Sequence, residues 1–145
     1  MKRPRASLLA AGLAVGLGLV VLAGWAPSLL ALQTAPPGGQ YQKVSALVPL
    51  PDFVPGLGTL YVDPKTLPVG PFLAYDHQGQ LVSSVYMVPV KDLEAKKAFN
   101  NLGVAKEKVD HVDMYYNAGH PGVAEPHYHV VVWYVSPEKA AALKQ

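Results

Sequence analysis

Cysteine is absent from the 145-residue chain, which removes disulfides, thiolate metal ligands and cysteine nucleophiles from consideration. Arginine is absent after residue 5, and the lysines form no cluster beyond Lys96 and Lys97. Because arginine supplies the forked donor that binds phosphates and base edges, this lack argues against a nucleic-acid partner. The chain also lacks a Gly-x-Ser-x-Gly motif and a phosphate-binding glycine loop, which argues against a serine hydrolase or a nucleotide-binding domain.

Charge is missing from residues 6–42, and Leu8 to Leu32 is almost continuously apolar behind a basic start. As a helix this stretch would extend over roughly 37 Å, more than the ~30 Å hydrocarbon core of a bilayer. Residues 1–32 are therefore predicted to be a signal peptide or an N-terminal membrane anchor through residues 6–32. The length favours an anchor, whereas the glycines and Pro27 favour a signal. Both place the rest of the chain outside the cytoplasm, either secreted or periplasmic, or anchored and facing outward.

The remainder divides into a short tether and one domain. Residues 33–42 are polar and contain proline and glycine, which is typical of a tether. Residues 43–145 have the length and apolar content of a single domain. They carry nine lysines against ten acidic residues, a net charge of −1, so the formal charge of +2 for the whole chain comes from its N-terminal segment.

Strands predominate in the predicted domain. Thr59–Val62 is predicted as a short edge strand, and 72–75 with 81–88 as a hairpin whose turn uses Gly79 at positive φ. Two further strands are predicted at 109–116 and 127–135.

Two helices accompany the strands in the prediction. Asp92 is placed to cap an amphipathic helix whose apolar stripe consists of Ala95, Ala98, Phe99 and Leu102, with Gly103 at its end. A short C-terminal helix is predicted from Ser136 to Leu143. The predicted fold class is α+β, mainly an antiparallel sheet.

Four of the five histidines lie between residues 111 and 129. Residues two apart on a strand share a face, so His127 and His129 are predicted to point the same way. An antiparallel register with Tyr115 opposite His127 and Asp113 opposite His129 leaves 116–126 as a loop. That loop carries His120 and can fold back over the two strand histidines.

This arrangement predicts a divalent metal site. Its candidate ligands are His120, His127, His129, Asp113 and His111. Three imidazoles with an open position suit zinc at about 2.0–2.1 Å, with Asp113 as fourth ligand or as a partner that orients His129. The alternative is a polar cluster without metal, in which tyrosine hydroxyls and backbone carbonyls satisfy the ring nitrogens.

The segment VDHVDMYYNAGHPGVAEPHYHVVVWYV, 109–135, resembles the signature of a family of small exported bacterial domains of unknown function. That signature has a strand ending in Asn-Pro-x-Gly-His-x-Pro, a short glycine-containing loop, and then Pro-His-Phe-Asp-x-His-Phe-Tyr. The matching residues here are Asn117, Gly119, His120, Pro126, His127 and Tyr128. The chain departs from it at His129 and Val131, where the family has Asp and His. The resemblance implies export and a mixed β fold, and it implies no activity.

Three functions follow as hypotheses. The first is a non-catalytic binding or structural domain of the cell envelope that self-assembles into a homo-oligomer, because strands such as VVVWYV carry apolar residues on both faces. The second is a metal-dependent hydrolase or lyase with the histidines as ligands and Glu125 or Asp113 as base. The third is a carrier of small apolar ligands in a cavity beside the sheet.

Overall fold

A computed structural model describes residues 34–145 of the chain. Its strands form one six-stranded antiparallel sheet in the order β1-β2-β3-β4-β6-β5. The strands are β1 Gln42–Lys43, β2 Thr59–Val62, β3 Phe72–Tyr75, β4 Leu81–Pro89, β5 His111–Asn117 and β6 His127–Trp133. The helices are α1 Val90–Glu94 and α2 Pro137–Ala142, with 3₁₀ turns at Val44–Ala46 and Pro64–Thr66. The predicted class, mainly antiparallel sheet with some helix, is confirmed.

The predicted segment 1–32 lies outside the described residues, as does residue 33 of the predicted tether. Between residues 34 and 145, the helices are too short to cross a bilayer.

The central hairpin follows its prediction closely. Strands β3 and β4 pair antiparallel around a turn in which Gly79 has φ +74°. The carboxylate of Asp76 closes this turn by accepting hydrogen bonds from the backbone N–H groups of Gln78 and Gln80. Strand β2 has the predicted bounds but is not the edge, because the two-residue β1 pairs with its outer side.

The predicted amphipathic helix is wrong in position and length. Helix α1 ends at Glu94, contains no buried residue, and is followed by Lys96 at φ +56°. Tyr86 of β4 and Tyr134, which follows β6, hold the extended path beyond it: the Tyr86 hydroxyl donates to the carbonyl of Gly103, and the Tyr134 hydroxyl accepts from the N–H of Ala105. Side chains distant in sequence thus satisfy backbone groups of this non-helical segment. Asp92 forms an ion pair with Lys97 instead of capping.

The C-terminal helix confirms its prediction. Ser136 caps α2 by accepting a hydrogen bond from the N–H of Lys139, and Pro137 takes the first helical position. Ala140 and Leu143 then pack into the main core on one face of the sheet. The same core contains the following buried residues of the sheet: Leu60, Val62, Phe72, Val85, Met87, Val131 and Trp133. This face also carries the candidate site.

Candidate metal site beside an apolar cavity

Strands β5 and β6 form the hairpin that holds the histidines. Residues of β6 alternate between buried and half-buried, and the buried set includes His127 and His129, so the prediction that they share a face is confirmed. The predicted register is wrong by two residues, because Tyr115 lies opposite His129 and Asn117 opposite His127. A shift of two preserves the face of every side chain.

The loop between the strands explains this register and brings His120 back toward the sheet. Asn117 accepts a hydrogen bond from the N–H of Gly119 through its side-chain oxygen, and His120 and Val123 exchange two backbone hydrogen bonds of 2.9 Å. Gly119 has φ +127°, and a Cβ there would lie 2.6 Å from the carbonyl oxygen of Ala124. Glycine therefore permits the tight return that the loop needs.

The three histidines form one compact cluster. The ring centroids of His120 and His127 lie 4.9 Å apart, those of His127 and His129 also 4.9 Å, and those of His120 and His129 5.6 Å. One nitrogen of each ring falls within 4.8 Å of the others. His127 is fully buried, His129 is 5% exposed and His120 is half-buried. The three residues lie close enough to hold a metal ion.

The second nitrogen of each ring is fixed by a neighbour, as metal-binding histidines require. Nδ1 of His127 lies 2.8 Å from the carbonyl oxygen of Glu125, and Nδ1 of His120 lies 2.9 Å from that of Pro121. A carbonyl only accepts, so both Nδ1 atoms carry the proton and both Nε2 atoms present a bare lone pair. Two of the three rings are therefore in the tautomer that binds a metal through Nε2.

His129 completes the network of hydrogen bonds between the rings and their neighbours. Its Nε2 lies 3.0 Å from Nε2 of His127, and its Nδ1 lies 3.1 Å from the hydroxyl of Tyr115. Since Nε2 of His127 accepts, Nε2 of His129 donates and the Tyr115 hydroxyl donates to Nδ1. Metal binding through Nε2 would move this proton to Nδ1, which then donates to Tyr115. The change exchanges one neutral tautomer for another and requires no net loss of a proton.

Electrostatics favour the neutral form of His129. Burial lowers the pKa of His129 to about 4, and the neighbouring His127 and His120 contribute to the decrease. Burial also raises the pKa of Tyr115, with a smaller effect from Asp113, so its hydroxyl keeps its proton at neutral pH. Protons therefore compete weakly with a metal for His129 near pH 7.

The other candidate residues have different partners. Asp113 lies opposite Val131 and accepts a hydrogen bond of 2.9 Å from the indole N–H of Trp133. His111 contacts Asp110 at 2.9 Å and stacks on Trp133. The carboxylate of Glu125 pairs with Lys91 at 2.5 Å. The two proposed bases are thus engaged with Trp133 and Lys91.

A large cavity of about 890 Å³ adjoins the histidines. Its walls are the core face of the sheet, the irregular segment 44–57, the loop at 120–123 and helix α2. His120 and His129 belong to its lining, whereas His127 is fully buried and does not. Much of the remaining lining is aliphatic and comes from Leu47, Val48, Leu50, Val54, Leu57, Leu60 and Val62. The volume lies within the range of sites for drug-sized ligands.

A solved protein with the same architecture places the chain among known structures. The crystal structure of hypothetical protein TTHB210 from Thermus thermophilus is 48% identical in sequence to this chain, with a TM-score of 0.60. The match covers 66% of this chain and 88% of that one. The chain belongs to the TTHB210 family. No family model and no curated protein matches the chain. TTHB210 is described as a hypothetical protein, so the likeness brings no activity to this chain.

Sequence reasoning missed two features of this site. It placed Tyr115 opposite His127, so the hydroxyl that binds His129 was not identified. The glycines of the loop could have indicated the correct register. Gly119 and Gly122 both have positive φ, which allows a tight loop, and a tight loop needs fewer residues than the predicted 116–126. It also could not locate the cavity, whose cover includes the proline-rich segment 44–57.

Proposed function

We propose that this chain is an exported, non-catalytic binding domain of the cell envelope that holds a divalent metal, zinc first, on His120, His127 and His129. One observation carries the proposal: three rings converge, and the Nδ1 atoms of two of them are held by carbonyls that leave Nε2 bare. A tetrahedral zinc ion with Zn–N of 2.0–2.1 Å needs nitrogens about 3.3 Å apart. The 3.0 Å pair of His127 and His129 needs only a small opening to reach this spacing.

Export is supported by the sequence of the first 32 residues and by the resemblance of 109–135 to exported domains. A binding role is favoured over a hydrolase or lyase because Asp113 and Glu125 make their contacts with Trp133 and Lys91. A general base has to reach the water that it activates.

The test is a zinc titration of the full chain without an affinity tag, in competition with a chromophoric chelator. The expected result is one zinc per chain, with the same stoichiometry in His111→Ala. That variant is a matched control, because His111 belongs to the same hairpin but contacts Asp110 and Trp133 and not the three rings. Absence of saturable zinc binding by the folded chain would refute the metal-binding function.

We also propose that the domain assembles through β5, with a second copy of this chain as the partner. Strand β5 is the last strand of the sheet and pairs only with β6 among the described strands. Its outer face exposes Val112, Met114 and Tyr116 at 56%, 60% and 55%. An edge strand with an apolar face is a surface that proteins normally cover. Antiparallel pairing of β5 with its own copy would extend the sheet across a two-fold axis.

Met114→Lys is expected to reduce the molar mass of the full chain to that of the monomer in light scattering. Met114 is the middle residue of β5, so in a symmetric antiparallel pair the two lysines would lie opposite each other and repel. Val104→Lys is the matched control, since Val104 is 63% exposed and lies outside the sheet. The N-terminal segment is the same in all three chains, so it cannot account for a difference. Equal masses for the unaltered chain and Met114→Lys would contradict assembly through β5.

A further inference from the structure

The position of the histidines relative to the cavity determines where a bound metal could accept a further ligand. His120 and His129 line the cavity, whereas His127 is fully buried and does not belong to the lining. A metal held by all three rings would therefore border the cavity through His120 and His129 and the protein interior through His127. Three ligands would leave a tetrahedral metal one position, and the cavity is where a fourth ligand would have room.

The charge of the metal determines which kind of ligand would bind at this fourth position. The three imidazoles are neutral ligands, so a divalent ion keeps its full charge of +2. Asp113 lines the same cavity and stays anionic, but its carboxylate lies on Trp133, four residues along β6 from His129, and it is not one of the residues whose ligand atoms converge. A charge of +2 beside an apolar wall is poorly solvated, and an anionic oxygen ligand would compensate it.

The shape and lining of the cavity determine what else the ligand carries. Most polar side chains of the lining come from the edge strand β5 and the histidines beside it, and they are His111, Asp113, Tyr115, Asn117, His120 and His129. The segment 44–57, strand β2 and helix α2 supply aliphatic side chains elsewhere. A ligand with an anionic head and an apolar tail matches this division, because each part would lie against groups of its own polarity.

From these observations we infer that the domain binds an amphiphilic carboxylate, with its carboxylate on the metal and its alkyl chain in the cavity. The inference rests on the proposed metal site. It names the ligand class that the site accepts: a medium- or long-chain carboxylic acid, as opposed to a neutral lipid or a small anion.

The test compares octanoate, 1-octanol and acetate by calorimetry on the full chain, zinc-loaded and metal-free. Octanoate is expected to bind once per chain and at least about tenfold more tightly with zinc than without it. Octanol has the tail without the anion and is expected to show no dependence on zinc. Acetate has the anion without the tail and is expected to bind at least about tenfold more weakly than octanoate, since it has no methylene groups to bury in the cavity. With cobalt in place of zinc, octanoate is expected to shift the visible absorption bands of the metal.

The variants Ala141→Trp and Ala142→Trp distinguish the contribution of the cavity to octanoate binding from that of the metal. Ala141 lines the cavity, whereas Ala142 is the next exposed residue of the same helix and does not belong to the lining. The Ala141→Trp variant is expected to weaken octanoate at least about tenfold and to leave zinc affinity unchanged. The Ala142→Trp variant is expected to change neither.

The possible failures are distinguishable. A chain that does not bind zinc overturns the proposed metal site and this inference with it. Two results would overturn the inference and leave the metal site standing. In the first, the chain binds one zinc but binds octanoate no more tightly than acetate. In the second, it binds octanoate equally tightly with and without zinc. The comparison of the three ligands needs only the unaltered chain, so it decides the matter even if the Ala141→Trp variant does not fold.

Discussion

Replacing His129 by alanine is expected to lower the zinc affinity of the full chain at least about 100-fold, because loss of an outer partner of a ligand already costs about 10–100-fold. The substitution removes one of three imidazoles and also the ring that His127 contacts at 3.0 Å. Two remaining histidines are too few for a structural or catalytic zinc site in proteins. The measurement is competition with a chelator of known affinity, at pH 7 and fixed ionic strength.

The His111→Ala variant is the control for this experiment, as it removes a histidine from the neighbouring strand and leaves the three rings in place. Circular dichroism of both variants without metal checks that the sheet persists. If the His129→Ala variant binds zinc as tightly as the unaltered chain, the ion is held elsewhere and the three-histidine site is refuted.

Acid is expected to destabilise the metal-free domain between about pH 6.5 and pH 4. The pKa of His129 is about 4 in the folded chain, below its ordinary value of 6.5. In this window the unfolded chain binds the extra proton and the folded chain does not, so the free energy of unfolding falls as the pH falls. The difference in pKa corresponds to a loss of about 3 kcal/mol for this side chain, which is 5% exposed.

The groups that face His129 are the rings of His127 and His120 and the hydroxyl of Tyr115. None of these groups is a carboxylate, so the part of the site within residues 34–145 leaves a charged imidazole of His129 uncompensated. Urea unfolding with chelator present, at pH 7, 5.5 and 4, measures the effect. The His129→Gln variant is expected to lose much of this pH dependence, whereas His77→Gln retains it, because His77 stacks on Phe53 away from the cluster. An unchanged pH dependence in the His129→Gln variant would contradict this assignment.

Alternation and turn chemistry made most of the sheet predictable. The hairpin around Gly79 and the capped helix from Ser136 each depend on residues within a few positions of one another, so contacts with distant residues do not change them. The shared face of His127 and His129 was also predicted correctly, because a register error of two residues leaves the face of each side chain unchanged.

The errors arose where distant groups decide the structure. The apolar spacing from Ala95 to Leu102 predicted a helix, but hydroxyls of Tyr86 and Tyr134 hold residues 103 and 105 in an extended path. The role of Tyr115 depended on a register set by hydrogen bonds inside the loop at 117–123. The cavity required the covering segment 44–57, whose prolines and short turns give no periodic pattern to interpret.

The most direct measurement of the metal site is zinc-edge X-ray absorption on the zinc-loaded full chain. Three imidazole nitrogens at about 2.0–2.1 Å are predicted, together with one light-atom ligand at the position facing the cavity. The outer-shell scattering that marks imidazole rings should decrease in the His129→Ala variant. A first shell without imidazole, or one that is the same in both chains, would contradict the assignment of His120, His127 and His129 as ligands.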